Sequence, residues 1–193
     1  MSFLGMWCVV PMRADAIMRY VPDFAPAIEA QATDPDSLAF LQRWRASGST
    51  EAGRHDFVES AAPCVLDEKI CLVYEAWEHG RDPSLPYLAV AARNSYPAAG
   101  LAYALGPECF AHLPGWMGDF ILTPDQVRHT LPDIERAFTW TPATRRHAAQ
   151  LLTAALRDEC AQDDLDALLD GLPPLWRAAT DAGRGLLAAH FIP

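Results

Sequence analysis

Residues 3–10, FLGMWCVV, and residues 186–192, LLAAHFI, decide how the fold is read. Each is a short apolar run closed by a proline, Pro11 in the first case and Pro193 in the second. About seven residues is the length of a strand, and a short apolar run beside Pro or Gly reads as a buried strand sooner than as a helix. Between the two runs the pattern is mostly helical. Strands so distant in sequence predict a single domain, residues 1–193, closed on itself with its ends near each other in one sheet. The predicted class is α+β: a mixed central sheet containing both terminal strands, flanked by helices.

Working inward from the first strand, Arg13 to Tyr20 places Ile17, Met18 and Val21 on one side of a short helix, which Pro22 and Pro26 are expected to end. Asp34-Pro35 supplies an N-cap followed by proline at the first helical position, where the missing N–H costs nothing. The helix it starts carries Leu38, Leu41 and Trp44 on one face, and a polar loop follows from Ser47 to Gly53. Ile70, Val73 and Trp77 recur at helical spacing within a helix predicted over Leu66 to His79 and stopped by Gly80. Residues 81–118 are rich in Pro and Gly; Leu85 to Ala92 fits either strand or helix, and HLPGWMGD (His112 to Asp119) reads as a loop. Thr123-Pro124-Asp125-Gln126 is a capping box, and Thr141-Pro142 repeats the cap–proline pair. Pro132 is expected to kink or break the first of these helices, and the second should reach about Cys160. Asp163 or Asp164 caps a shorter helix ending at Gly171, and Leu172 to Ala182 forms the last before Gly183-Arg184-Gly185 turns into the closing strand.

A hydrophobic content of 51% over 193 residues supplies a core that buries about 70% of the unfolded chain's surface. The formal charge of −10 repels phosphate backbones and anionic lipid, so neither nucleic acid nor a membrane is an expected partner. Lys69 is the only lysine among fifteen Lys and Arg residues, a bias that reads as genomic base composition. Cys8, Cys64, Cys71, Cys109 and Cys160 are odd in number and form no C-x-x-C pair, as for reduced thiols in a cytosol. With no secretory pattern at the N-terminus and no run near the ~20 apolar residues of a spanning helix, a cytoplasmic protein is expected.

Three constellations carry possible chemistry. Cys71, Glu75 and His79 recur every four residues on one helix face, the arrangement two ligands of a zinc or iron site need. The bland alternative is a solvated face with an ordinary i,i+4 pair. Trp116 lies among Gly115, Met117, Gly118 and Asp119, as an aromatic in a recognition loop would; the alternative is that it folds back into the core. Asp158, Glu159, Asp163, Asp164, Asp166 and Asp170 form an acidic stretch without a basic residue between them, either a solvated face or a dock for a basic partner. Arg43 and Arg45 around Trp44, with Arg145-Arg146, are too scattered to offset the overall charge. His190 in the closing strand reads as a core or edge histidine. There is no G-x-S-x-G elbow, no G-x-G-x-x-G and no P-loop, so no cofactor is expected.

With these elements placed, their order resembles the YfbM-like family, a bacterial domain of unknown function found as small soluble proteins. MSFLGM (Met1 to Met6) is similar to that family's start, and LTPDQV (Leu122 to Val127) resembles its L-T-P-E-E-V helix start. LWRAA (Leu175 to Ala179) with Gly183 resembles its final helix–glycine–strand unit. The likeness spans most of the chain. The family usually carries K-x-W in its central helix, with histidine four residues after the tryptophan. Here Lys69 is present, but Cys71 stands at the tryptophan position and Glu75 at the histidine position, so any function of that segment would be altered. The family implies a fold and no activity.

The expected function is that of a non-enzymatic interaction protein, in a narrower form an immunity or antitoxin-like factor. It would bind a basic protein partner through an acidic surface, with Trp116, Asp119, Asp163, Asp164 and Asp166 as the surface residues. The first alternative is an enzyme whose site is built by loops around Trp116, Asp119 and His112, with His112 or Glu75 as acid–base group. The second is a metal-binding protein using Cys71, Glu75 and His79. The sequence leaves oligomeric state open.

Overall fold

The computed structural model describes residues 2–50, 54–61, 65–156 and 160–193. Strands β1 (Leu4–Met12), β2 (Leu88–Arg93), β3 (Phe120–Leu122) and β4 (Gly185–Phe191) form one sheet in the order β2-β1-β4-β3. The two terminal strands pair at its centre, with Trp7 opposite His190 and Val9 opposite Ala188. The α+β class therefore stands, with every described pairing antiparallel where sequence suggested a mixed sheet.

Both faces of the sheet are covered, which explains why β1 and β4 read as unbroken apolar runs and not as alternating ones. Trp7, Val9, Val90, Leu186 and Ala188 face one cluster. It is completed by α5 (Pro97–Phe110), α6 (Pro124–Ala137), α7 (Pro142–Ala155), α8 (Gln162–Asp170) and α9 (Leu172–Asp181). Cys8, Val10, Met12, Leu187 and Ala189 face the other, packed by α1 (Ala14–Thr33), α2 (Pro35–Ser47), α3 (Arg54–Ala61) and α4 (Ile70–Gly80). Each large apolar side chain removed from water here contributes about 1.5–3 kcal/mol before entropy is counted.

Pro11 lies inside β1, opposite Leu186, and does not close the strand. Its carbonyl accepts the Asp82 N–H at 3.0 Å, so its nitrogen points to the same side, beyond the end of β2. No ladder bond to β4 is lost there.

Three prolines lie inside helices α1 and α6, two of them where a helix end was expected and Pro132 where a kink or break was. Helix α1 runs through Pro22 and Pro26 for 20 residues, and α6 runs through Pro132. All three are exposed, on the face opposite Tyr20, Phe24 and Ile28 in α1 and opposite Val127 and Ile134 in α6. Carbonyls freed by the missing N–H groups therefore meet water, and apolar burial on the inner face outweighs the local cost. Helix α7 stops at Ala155, short of the predicted Cys160, which instead bridges to Ala92 beside β2. Helix α8 starts from Ala161, with Asp163 and Asp164 inside its first turn. On α2, Trp44 is buried, whereas Leu38 is 45% exposed.

Helix α5 went unread because it has no polar face. Pro97 through Leu105 are all buried, so no 3.6-residue alternation marks it. It runs between the two clusters, giving Leu101 and Leu105 to one and Ala102 and Tyr103 to the other.

Candidate functional site

The loop before β3 is a tight turn. Trp116 and Asp119 exchange backbone hydrogen bonds at 2.9 and 2.8 Å, with Met117 at φ 45° and Gly118 at φ 101° between them. Positive φ at both central positions is the type I′ pattern. The turn is locked from outside as well, since the Trp7 indole N–H donates to the Gly118 carbonyl at 2.8 Å. Such a loop is a fixed part of the core and not an adaptable recognition surface.

Its two candidate residues are correspondingly buried, Trp116 at 4% and Asp119 at 2% exposure, which corrects their placement on a binding surface. The Asp119 carboxylate accepts the His190 backbone N–H at 2.7 Å and the Val65 N–H at 3.0 Å. It thereby continues the β3–β4 ladder one residue past Phe120, using a side chain where a backbone carbonyl would otherwise serve. The His190 ring packs edge-on against Tyr96 at 5.1 Å, and burial pulls its pKa down to about 4. His112 is engaged elsewhere, with Nδ1 3.8 Å from Asp133 on α6. Of the trio proposed for a loop-built enzyme site, Trp116 and Asp119 share one turn, whereas His112 makes its polar contact elsewhere.

On α4, Cys71 is exposed. Glu75 accepts from the Tyr20 hydroxyl at 3.2 Å and lies 3.9 Å from Arg19, while His79 Nδ1 is 2.9 Å from the Glu75 carbonyl oxygen. Among the described residues no three His, Cys, Asp or Glu side chains converge as ligands would. Cys8, on β1, is inert packing: burial pushes its thiol up to about 11.

The acidic stretch is partly neutralised from within the molecule. Arg145 of α7 donates to Asp166 at 2.8 Å and also to Asp170. Hydrogen bonds from Arg145, then from Gln162, hold the Asp166 carboxyl below its usual range. Asp163 is exposed and Asp164 half-buried, and neither has a partner among the described residues. Both sit where the α8 N-terminus favours negative charge. Asp158, Glu159, Cys64 and the 51–53 part of the polar loop lie outside the described residues.

Sequence gave no warning of a groove along α2. Two adjoining depressions of about 170 and 220 Å³ share Phe40, Arg43 and Ser60 as a common wall. The first is floored by aromatic rings: Trp44 lies 4.5 Å from Phe57, and Phe57 lies 5.1 Å from Tyr103. The second is bordered by Gln31, Asp34, Asp36, Ser37 and Trp116. Helix geometry places this wall, because Phe40 and Arg43 are three residues apart on one face of α2, about two turns beyond the Asp34 cap. The cap itself is as read from sequence, with Asp34 accepting from Asp36 N at 2.9 Å and Ser37 N at 3.0 Å. The adjacent Arg43 and Trp44 were visible in the sequence, but only folding brings α5 and the 116–119 turn beside them.

Compared with protein-family models, with curated proteins and with solved structures, the chain matches none.

Proposed function

We propose that this chain acts by binding and not by catalysis, as a cytoplasmic bacterial interaction protein that engages a basic protein partner through the acidic face of α8. An immunity or antitoxin-like factor is the narrower form of this reading. The observation that carries it is the distribution of engaged and unengaged charge. Glu75, His79, His112 and Asp119, the groups catalysis or metal binding would draw on, each hold a structural contact. Asp163 and Asp164 hold none among the described residues, on a chain of formal charge −10. Such a surface speeds encounter with a cationic patch and selects its sign. Membership of the YfbM-like family belongs to the same proposal. It is supported by the placing of LTPDQV at the start of α6 and of LWRAA with Gly183 at the α9–β4 unit.

The test is capture of a partner from the native cytosol across a salt series, with the D163N/D164N double variant beside the parent. The expected result is a stoichiometric basic protein held at low ionic strength, lost on raising salt and weakened by the double variant. Finding no such protein at low ionic strength, or one indifferent to both salt and variant, overturns the reading.

A further inference from the structure

The groove along α2 combines features that the acidic α8 face lacks. Arg43 is exposed and forms the wall common to both depressions, yet its guanidinium has no carboxylate partner among the described residues. On one side of it lie Trp44, Phe57 and Tyr103, an apolar floor held by a relay of hydrogen bonds. The Trp44 indole donates to Ser49 Oγ at 3.3 Å, and Ser49 Oγ donates to the Tyr103 carbonyl at 2.7 Å. On the other side lie Asp34 and Asp36. Asp34 spends one oxygen, Oδ2, on capping α2, and Asp36 has no side-chain partner among the described residues. Trp116, which borders this second depression, carries a buried indole N–H with no acceptor among the described residues. A buried donor left unsatisfied costs about 1–3 kcal/mol, so such groups call for an explanation.

We propose that this groove binds a free apolar or aromatic α-amino acid. Its carboxylate would rest on Arg43, its ammonium would face Asp36 and the open side of Asp34, and its side chain would enter the Trp44–Phe57–Tyr103 lobe. The charge order fixes the class. A simple carboxylate would meet the two aspartates, a simple amine would meet Arg43, and a ligand bearing both charges suits a depression lined by Arg43 and, about two turns of α2 before it, by Asp36 and Asp34. A guanidinium meets a carboxylate through two parallel N–H donors, which sets the orientation of the bound molecule. The size agrees. Each depression is smaller than the few hundred Å³ usual for a drug-sized ligand, so the occupant is small. This site is separate from the proposed α8 contact and does not depend on it.

Calorimetric titration of the full chain with L-phenylalanine, L-leucine and L-tryptophan tests the assignment, with tryptophan fluorescence as a second readout for the first two. Phenylalanine amide, which lacks the carboxylate, and 3-phenylpropanoate, which lacks the ammonium, are the control ligands. Saturable binding of at least one amino acid is expected, weakened about tenfold or more for both controls and by R43Q. The D36N variant should weaken the amino acid and leave 3-phenylpropanoate no worse. No saturable binding of any of the three overturns the proposal, as does an R43Q variant of unchanged thermal midpoint that binds as well as the parent. Equal binding of 3-phenylpropanoate and phenylalanine overturns the role given to the aspartates and with it the ligand class.

Discussion

At Gly118 the backbone has φ +101°, and a Cβ built there would fall 2.4 Å from the Ala98 Cβ and 2.9 Å from the Trp7 indole nitrogen. Neither neighbour can withdraw, because Ala98 is in α5 and the Trp7 N–H is tied to the Gly118 carbonyl. G118A should therefore cost about 2 kcal/mol or more, read as a lower denaturation midpoint at unchanged denaturant slope. His190 makes a different kind of demand. Burial lowers its pKa from 6.5 to about 4, so between those values the unfolded chain takes up a proton that the folded chain refuses. Stability should fall as pH drops through that window, by up to about 3 kcal/mol, and be unaffected by this residue above it. The measurement is thermal midpoint against pH for the parent and H190Q, the variant losing the slope. The core character of His190 was legible from its place in an apolar strand. The burial of Asp119 was not, because a carboxylate in a glycine-rich loop looks solvated until its backbone partners on β4 and at Val65 are known.

Among the elements, those started by a cap followed by proline were read most accurately. Asp34, Thr123 and Thr141 each cap the helix that follows, the last two as reciprocal capping boxes. Local chemistry suffices there, since the satisfied N–H groups lie within three residues of the cap. T123A and T141A should each lose about 1 kcal/mol. Helix interiors were read less well, for two opposite reasons. Proline rules overstated the breaks at Pro22, Pro26 and Pro132, because solvent rehydrates the freed carbonyls on an exposed face. Periodicity overlooked α5, because a helix buried on all sides carries no amphipathic signal. The first reason has a consequence that urea denaturation can check. P132A restores an N–H inside α6 without entering the core and should stabilise the protein by at least about 1 kcal/mol. A neutral or destabilising result would mean that Pro132 is favoured by something beyond its own helix.

For the molecule as a whole, the closing of β4 against β1 gathers every other element. It creates the two faces on which the helical clusters pack, and it brings the 116–119 turn, α2 and α5 together around the groove. The strand nature of both termini was legible because short apolar runs beside proline have few alternatives. The groove was not, since its wall comes from α2, its aromatic floor partly from α3 and α5, and one edge from the turn before β3. Such a site exists only in three dimensions. Among the described residues no helix is long and apolar enough to span a bilayer. Inter-strand nuclear Overhauser effects in the labelled protein test the central pairing most directly. Contacts linking Trp7 with His190 and Val9 with Ala188 are predicted, in an antiparallel pattern continuing toward Met12 and Gly185. Helical chemical shifts at residues 4–12 or 185–191, or the absence of any cross-peak between the two segments, would contradict it.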